Sequence, residues 1–138
     1  MTEKRSFAPL IVAPGEGRRY NMGKMEAVFK ADGDETGGRF SVSEWWLEPG
    51  MHGPGSHQHS EDHVFIVIEG QIDLCLNGAW HVCSKGSYVV IPGGTAHDFE
   101  NRSDASAAFI SLNVPGDFEK EVPAIAEWFR QQAETGLT

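Results

Sequence analysis

The sequence lacks any long hydrophobic run. No stretch approaches the ~20 apolar residues that a helix needs to cross a bilayer. The N-terminal stretch MTEKRSFAPLIVAPGEG also lacks the apolar segment and small-residue cleavage site of a secretion signal. We therefore expect no membrane partner and a cytoplasmic location.

Positive charge is scarce as well. The chain carries 11 Lys and Arg against 20 Asp and Glu, for a formal net charge of −9. The basic residues are dispersed along the sequence and form no stripe that could neutralise phosphates. Nucleic acid is therefore not expected as a partner, and the acidity mainly favours solubility.

Cysteine occurs only twice, which is too few for a disulfide scaffold. Cys75 and Cys83 flank Asn77-Gly78, the dipeptide most typical of a two-residue hairpin turn. A turn at that point pairs Cys75 with Trp80 and puts the two thiols on opposite faces of the ribbon. We therefore expect two free thiols with packing roles.

What the sequence does contain is a series of short apolar stretches separated by turn residues rich in Gly and Pro. Its 138 residues and 40% hydrophobic content suit one globular domain, residues 1–138. The pattern predicts an all-β sandwich or barrel, with a core at about 27–113 and an N-terminal arm at 1–26. The predicted strands are residues 27–30, 39–47, 64–68, 71–76, 80–82, 88–91, 97–100 and 107–113.

The end of the sequence departs from this pattern and predicts a helix. In PAIAEWFRQQAET, Ile125, Trp128, Phe129 and Gln132 recur at helical spacing. Proline suits the first position of a helix and glycine its end, so we predict a C-terminal helix at about 123–135, ended near Gly136. Its apolar stripe is expected to pack over a barrel end or against a second subunit.

Histidine is concentrated in HQHSEDH, residues 57–63. The three histidines there, His57, His59 and His63, stand at odd positions, so their side chains share one side of an extended segment. Alone, the cluster fits either a solvated polar loop or part of a metal site. His97 follows the PGG turn at the start of a predicted strand, where a folded barrel can bring it opposite the other three.

The stretch GSYVVIPGGTAHDFEN resembles the second motif of the cupin superfamily. That motif specifies five residues, and each is present at the required spacing: Gly86, Pro92, Gly94, His97 and Asn101. Gly93 and Gly94 would let the backbone turn tightly before His97. The resemblance is therefore specific.

The first cupin motif is matched with two departures. His57, His59 and Gly70 fit, but His63 stands where a glutamate is expected, and Met51 stands where the leading glycine is expected. With the flanking stretches ETGGRFSV, LEPG and VPGDFE, the chain resembles small single-domain cupins related to quercetin dioxygenases. The resemblance covers roughly residues 40–113.

This resemblance implies a fold, a site and partners. The fold is a cupin jelly-roll barrel with a short C-terminal helix, and the assembly is a homodimer formed by shared sheet edges. The metal ligands are His57, His59, His63 and His97, holding one divalent transition metal per chain. Imidazole ligands suit Fe, Ni, Cu or Zn and less ideally Mn, and nothing in the sequence identifies a catalytic acid or base.

The histidine at position 63 would change the chemistry of such a site. Four neutral imidazoles leave the full charge of a divalent ion in place, whereas a glutamate would reduce it by one. A more positive ion polarises bound oxygen groups more strongly and favours anionic ligands. Around a tetrahedral zinc four histidines leave no open position, while an octahedral ion keeps two.

Three functions follow as hypotheses. The first is a metal-dependent enzyme on a small molecule, an oxygenase whose enol, diketone or phenolic substrate chelates the metal. The second uses the metal as a Lewis acid in an isomerase, lyase or cyclase, and the third is a non-catalytic module that binds small molecules. The lack of an identifiable general base keeps the third open.

Several other residues have weaker assignments. His52 and His81 are expected in exposed positions away from the metal. Trp45 and Trp46 are adjacent in a predicted strand and face opposite ways, so at most one lines the pocket. The two acids within HQHSEDH are expected to be solvated or to orient a histidine.

Overall fold

The computed structural model describes residues 7–134. Two antiparallel sheets face each other, one of six strands in the order β1-β2-β3-β9-β4-β7 and one of three strands in the order β6-β5-β8. Their bounds are β1 Arg18–Asn21, β2 Met25–Ala31, β3 Ser41–Leu47, β4 Asp62–Glu69, β5 Gln71–Leu76, β6 Ala79–Ser84, β7 Tyr88–Ile91, β8 His97–Glu100 and β9 Ala107–Val114. The predicted all-β jelly-roll class is confirmed.

Strands β3 and β4 of the large sheet alternate between the barrel interior and its outside. On β4, His63, Phe65 and Val67 are buried while the even-numbered residues between them are half-buried. The same alternation on β3 buries Trp45 and exposes Trp46, which answers the question that the sequence left open. Aromatic rings fill the interior, and the Trp45 and Phe109 rings lie almost parallel with centroids 6.3 Å apart.

The small sheet is built on the hairpin β5–β6. Asn77 and Gly78 both have positive φ values, 50° and 86°, as a tight hairpin turn requires. Cys75 pairs with Trp80 and Cys83 with Ile72, as the sequence predicts. Both cysteines are free.

Between residues 7 and 134, helical structure is limited to one turn near the N-terminus and to the C-terminal segment. Helix α1 spans Gly33–Thr36, a 3₁₀ turn spans Phe118–Glu121, and helix α2 spans Val122–Glu134. Phe129 is buried at 2% exposure, so α2 packs over one end of the barrel. The predicted end at Gly136 lies outside the described residues. Within residues 7–134, no helix is long and apolar enough to span a membrane.

The sequence did not predict β1, which lies inside the arm read as irregular. Its residues RRYN pair with the neighbouring strand β2 but look like a charged loop, because the side-chain partner of Arg18 and Tyr20 is distant in sequence. Arg18 donates to Glu119 at 2.7 and 2.8 Å, and the Tyr20 hydroxyl donates to the same carboxylate at 2.6 Å. These bonds attach the 3₁₀ turn to the large sheet and so help to fix Phe118.

Candidate metal centre

The segment that contains His57 and His59 is joined to the segment that ends at His97 by backbone hydrogen bonds. His57 and His97 face each other in an isolated antiparallel bridge, with N–H to carbonyl distances of 3.0 and 2.8 Å in the two directions. The Gly94 N–H adds a bond to the His59 carbonyl at 2.7 Å. Directly opposed residues of an antiparallel pair place their side chains on the same face. This pairing therefore brings His97 to the HxH segment.

Two of the histidines are oriented by backbone carbonyls. His57 Nδ1 lies 2.8 Å from the carbonyl oxygen of Gly55, and His97 Nδ1 lies 2.9 Å from that of Thr95. A carbonyl oxygen only accepts hydrogen bonds, so each Nδ1 carries the hydrogen and each Nε2 keeps a free lone pair. Metal-binding histidines are commonly held in this way.

The imidazoles converge on one another inside the barrel mouth. His57, His59 and His97 each offer one ring nitrogen as a ligand atom, and these three nitrogens lie within 4.8 Å of one another. The ring of His63 has its centroid 5.2 Å from those of both His59 and His97. The rings of all four predicted ligands thus lie in one cluster, but the nitrogens within 4.8 Å of one another belong to His57, His59 and His97 and do not include those of His63.

The pKa values of His59, His63 and His97 are lowered, which favours the neutral form of each ring. Burial, followed by the neighbouring imidazoles, lowers the pKa of His63 to about 4. Burial also lowers the pKa of His97 to about 4 and lowers that of His59. Neutral imidazoles at neutral pH are the form that donates a lone pair to a metal.

A metal ion fits the donor set because His63 is otherwise unexplained. Its side chain is 3% exposed, and neither ring nitrogen has a hydrogen-bond partner among the described residues. Buried polar groups nearly always have partners, and an unpaired one costs about 1–3 kcal/mol. A metal would use one of the two nitrogens. An all-imidazole site suits Fe, Ni, Cu or Zn.

A cavity of about 230 Å³ leads from outside to the histidines. His57 and His59 form its floor, and the remaining lining is apolar: Met25, Trp45, Pro54, Phe99, Phe118, Ile125, Trp128 and Phe129. Helix α2 supplies one wall. The Phe118 ring stands perpendicular to the His59 ring, with centroids 5.4 Å apart. A larger cavity of about 530 Å³ lies beside the N-terminal arm, away from the histidines.

Behind the histidines lies a smaller chamber of about 40 Å³, large enough for a water molecule. All four histidines line it together with phenylalanines and two polar side chains of β9, Ser111 and Asn113. Ser111 Oγ donates to Asn113 Oδ1 at 2.7 Å.

The other sequence assignments can now be placed. His52 and His81 are exposed and lie outside the histidine cluster. Asp62 accepts a hydrogen bond from the Gly93 N–H at 2.8 Å, so it ties the PGG turn to β4 and does not orient a histidine. Motif reasoning missed Phe118, Ser111 and Asn113. For Ser111 and Asn113 the sequence offered only one indication, namely that both stand at odd-numbered positions of a predicted strand and so share one face.

The two glycines of the PGG turn are expected to tolerate alanine unequally. A Cβ on Gly93 would lie 2.2 Å from the Ser60 carbonyl oxygen, whereas a Cβ on Gly94 meets nothing within 4 Å and carries only the strain of φ +84°. We expect Gly93→Ala to cost more than about 2 kcal/mol and Gly94→Ala about 1 kcal/mol. Urea unfolding of both variants measures this, and equal losses would contradict the close approach.

Comparison with known proteins gives a family and two curated relatives. The family model for a cupin domain matches residues 43–113, slightly more than half of the chain. Quercetin 2,3-dioxygenase of Bacillus subtilis is 33% identical over 112 residues, which are 79% of this chain and 32% of that protein. Acireductone dioxygenase of Alcanivorax borkumensis is 42% identical over 48 residues, which are 32% of this chain and 26% of that protein. The chain thus spans about a third or less of either relative.

A solved structure shows the same fold over nearly its whole length. KdgF from Halomonas superposes with a TM-score of 0.71 at 18% identity, covering 82% of this chain and 99% of that one. At this identity the likeness concerns the fold.

Proposed function

Since this chain belongs to the cupin family, we propose that it is a metal-dependent enzyme that transforms a small molecule. His57, His59, His63 and His97 hold one divalent transition metal ion. The observation that carries the proposal is the convergence of four imidazoles, two of them with Nδ1 held by carbonyls and one with no other partner. When bound, the metal supplies a positive centre that binds and polarises oxygen atoms of a substrate.

The lining of the outer cavity favours a flat, largely apolar substrate. Trp45, Phe99 and Phe118 present aromatic surfaces around the floor formed by His57 and His59. Such surfaces stack on a conjugated ring and exclude water, while the metal is the polar anchor. A substrate that chelates through an enol, a diketone or a phenol combines both features.

The site offers no carboxylate or amine to act as a base among the residues that line the two histidine cavities. The substrate must therefore be acidic enough to lose its own proton on binding, as an enol or a phenol is. We propose an oxygenase acting on such a substrate. The resemblance to two dioxygenases supports this reaction class.

The test starts with elemental analysis of freshly purified protein, followed by measurement of oxygen consumption with a flavonol, a β-diketone and a catechol. We expect about one transition metal ion per chain and oxygen uptake with at least one compound. The variant His59→Ala should lose both, while His81→Ala, an exposed histidine outside the cluster, should lose neither. Turnover that continues without oxygen in the zinc-loaded protein would replace the oxygenase with the isomerase, lyase or cyclase.

A homodimer is the assembly we propose, with the outer face of the six-stranded sheet as its interface. Tyr88 and Val90 lie on the edge strand β7 and are 72% and 68% exposed. Beside them, β4 presents the half-buried apolar residues Val64 and Ile66. A second copy would cover this surface.

Charge placed on that edge should separate the dimer. Val90→Lys is expected to give a monomer at micromolar concentration in sedimentation velocity, because a buried unpaired ammonium is costly. Val82→Lys is the matched control, since Val82 is also 68% exposed but lies on β6 in the other sheet. A monomeric wild-type protein would remove the proposal.

A further inference from the structure

Four buried polar atoms without partners lie in one row across the large sheet. They are Ser41 Oγ, Asn113 Nδ2 and both ring nitrogens of His63. Ser41 on β3 pairs with Asn113 on β9, and Asn113 pairs in turn with His63 on β4. The exposed fractions of the three residues are 0%, 1% and 3%. Directly paired side chains in antiparallel sheets are close enough to interact.

The row is unusual because interiors seldom leave even one such atom unpaired. A hydrogen bond beside the row explains why the Asn113 nitrogen is unpaired. Ser111 Oγ donates to Asn113 Oδ1 at 2.7 Å, which leaves the amide nitrogen directed elsewhere in the row. An amide nitrogen is only a donor, so it cannot serve a His63 nitrogen that carries a hydrogen.

Turning the Asn113 amide by half a turn exchanges the places of its oxygen and nitrogen, so that the nitrogen lies beside Ser111. The oxygen is then of the right kind to accept from a His63 N–H, and a hydrogen bond from Asn113 acts on the pKa of His63 in the raising direction, against the larger effect of burial. One amide N–H can donate to Ser111, and His63 keeps a lone pair on its second nitrogen.

His63 needs such a partner more than the other ligands do. His57 and His97 lie outside regular strand interiors, where carbonyl oxygens of Gly55 and Thr95 are free to hold their Nδ1 atoms. His63 lies on β4 between β7 and β9, where the backbone groups serve the sheet. Only a side chain can orient its ring.

We propose that Asn113 is the positioning residue of His63: its amide accepts one ring N–H and so directs the other ring nitrogen toward His57, His59 and His97. The inference rests on the proposed metal site and deepens it. Ser111 fixes the amide in this orientation. A neutral amide partner leaves the charge of the metal undiminished, in keeping with the absence of the motif's glutamate at position 63.

The first experiment uses the wild-type protein loaded with Zn²⁺ and proton–nitrogen NMR of its imidazole rings. We expect His63 to show one ring N–H that exchanges slowly with water because it is hydrogen-bonded and buried. In Asn113→Leu this signal should be lost, and in Asn113→Asp it should return with a downfield shift, because a carboxylate accepts more strongly.

The second experiment measures Zn²⁺ affinity by competition with a chelator. Asn113→Leu should weaken binding about 10–100-fold, the usual effect of losing a partner of a metal ligand, and Asn113→Asp should restore or tighten it. Asn101→Leu is the control for loss of a buried amide: Asn101 is fully buried and holds the carbonyls of Leu47, Glu48 and Ala105. That variant should lower the melting temperature without changing the affinity of the folded protein.

The outcomes separate this inference from the proposed function. Wild-type protein that binds Zn²⁺ but shows no protected His63 N–H would overturn the role of Asn113 and leave the metal site standing. Wild-type protein that binds none of Zn²⁺, Fe²⁺ or Ni²⁺ would overturn the metal site and this inference with it. The NMR measurement on wild-type protein decides the question even if the leucine variants do not fold.

Discussion

Changing His63 to alanine is expected to weaken metal binding by more than about 100-fold and to abolish turnover, while the fold is retained. Loss of a partner that merely orients a ligand already costs 10–100-fold, and removal of the ligand itself should cost more. The fold should survive because β4 is held between β7 and β9 by its backbone pairing and not by the His63 ring. A chelator competition, oxygen-uptake measurements and circular dichroism measure the three effects in turn.

His63→Glu separates loss of a ligand from change of charge. Glutamate is the residue that the first cupin motif has at this position, so it should restore metal binding that alanine abolishes. It also lowers the net charge of the loaded site by one, which should weaken the binding of anionic ligands such as azide. Recovery of metal together with lower azide affinity is therefore the expected pattern.

The control for both variants is His81→Ala, because His81 is exposed on β6 and distant in the fold from the cluster. It should bind metal and turn over as the wild-type does. A His63→Ala protein that keeps full metal content and activity would reduce the centre to three histidines. His63 would then be a buried polar residue without a function.

The histidines could be predicted from the sequence because two local rules locate them. The three histidines of HQHSEDH stand at odd-numbered positions, so an extended segment places their rings on one side. The spacing from Gly86 to Asn101 places the fourth histidine after a tight turn. The hairpin at Asn77-Gly78 was predictable to the residue for the same reason, since its geometry depends on two adjacent positions.

What the sequence could not give depends on contacts between distant segments. Strand β1 is stabilised by Glu119, about a hundred residues away, so its four residues alone read as a charged loop. Phe118 reaches the site only because that ion pair and α2 hold the 3₁₀ turn over the barrel mouth. The proposed role of Asn113 depends on its cross-strand pairing with Ser41 and His63, and no sequence motif specifies that pairing.

The metal-free protein is expected to lose stability as the pH falls from about 6.5 to 4. Buried His63 and His97 have folded-state pKa values of about 4, whereas in the unfolded chain the value is that of free histidine. Between these limits the unfolded state binds more protons, so the free energy of unfolding falls with decreasing pH. Each ring can contribute at most about 3 kcal/mol, from about 1.4 kcal/mol per pKa unit.

Two buried carboxyl groups act in the opposite sense and reduce this loss. Burial raises the pKa values of Asp32 and Asp98, so the folded state takes up their protons first as the pH falls. These two groups therefore stabilise the folded state increasingly as the pH falls toward the pKa of an unfolded aspartic acid. The histidines should dominate because Asp32 and Asp98 accept backbone hydrogen bonds that oppose the effect of burial on their pKa values.

Urea unfolding of chelator-treated protein between pH 7 and pH 4.5 measures the net effect. His63→Leu removes one titrating ring and two unpaired nitrogens, so its stability should depend on pH roughly half as steeply as that of the wild-type. Equal slopes for the two proteins would show that His63 is protonated within the folded state. Saturation with Zn²⁺ should stabilise the wild-type most at neutral pH, because metal and protons compete for the same nitrogens. The expected acid sensitivity of the metal-free barrel is thus the consequence of burying the rings of His63 and His97.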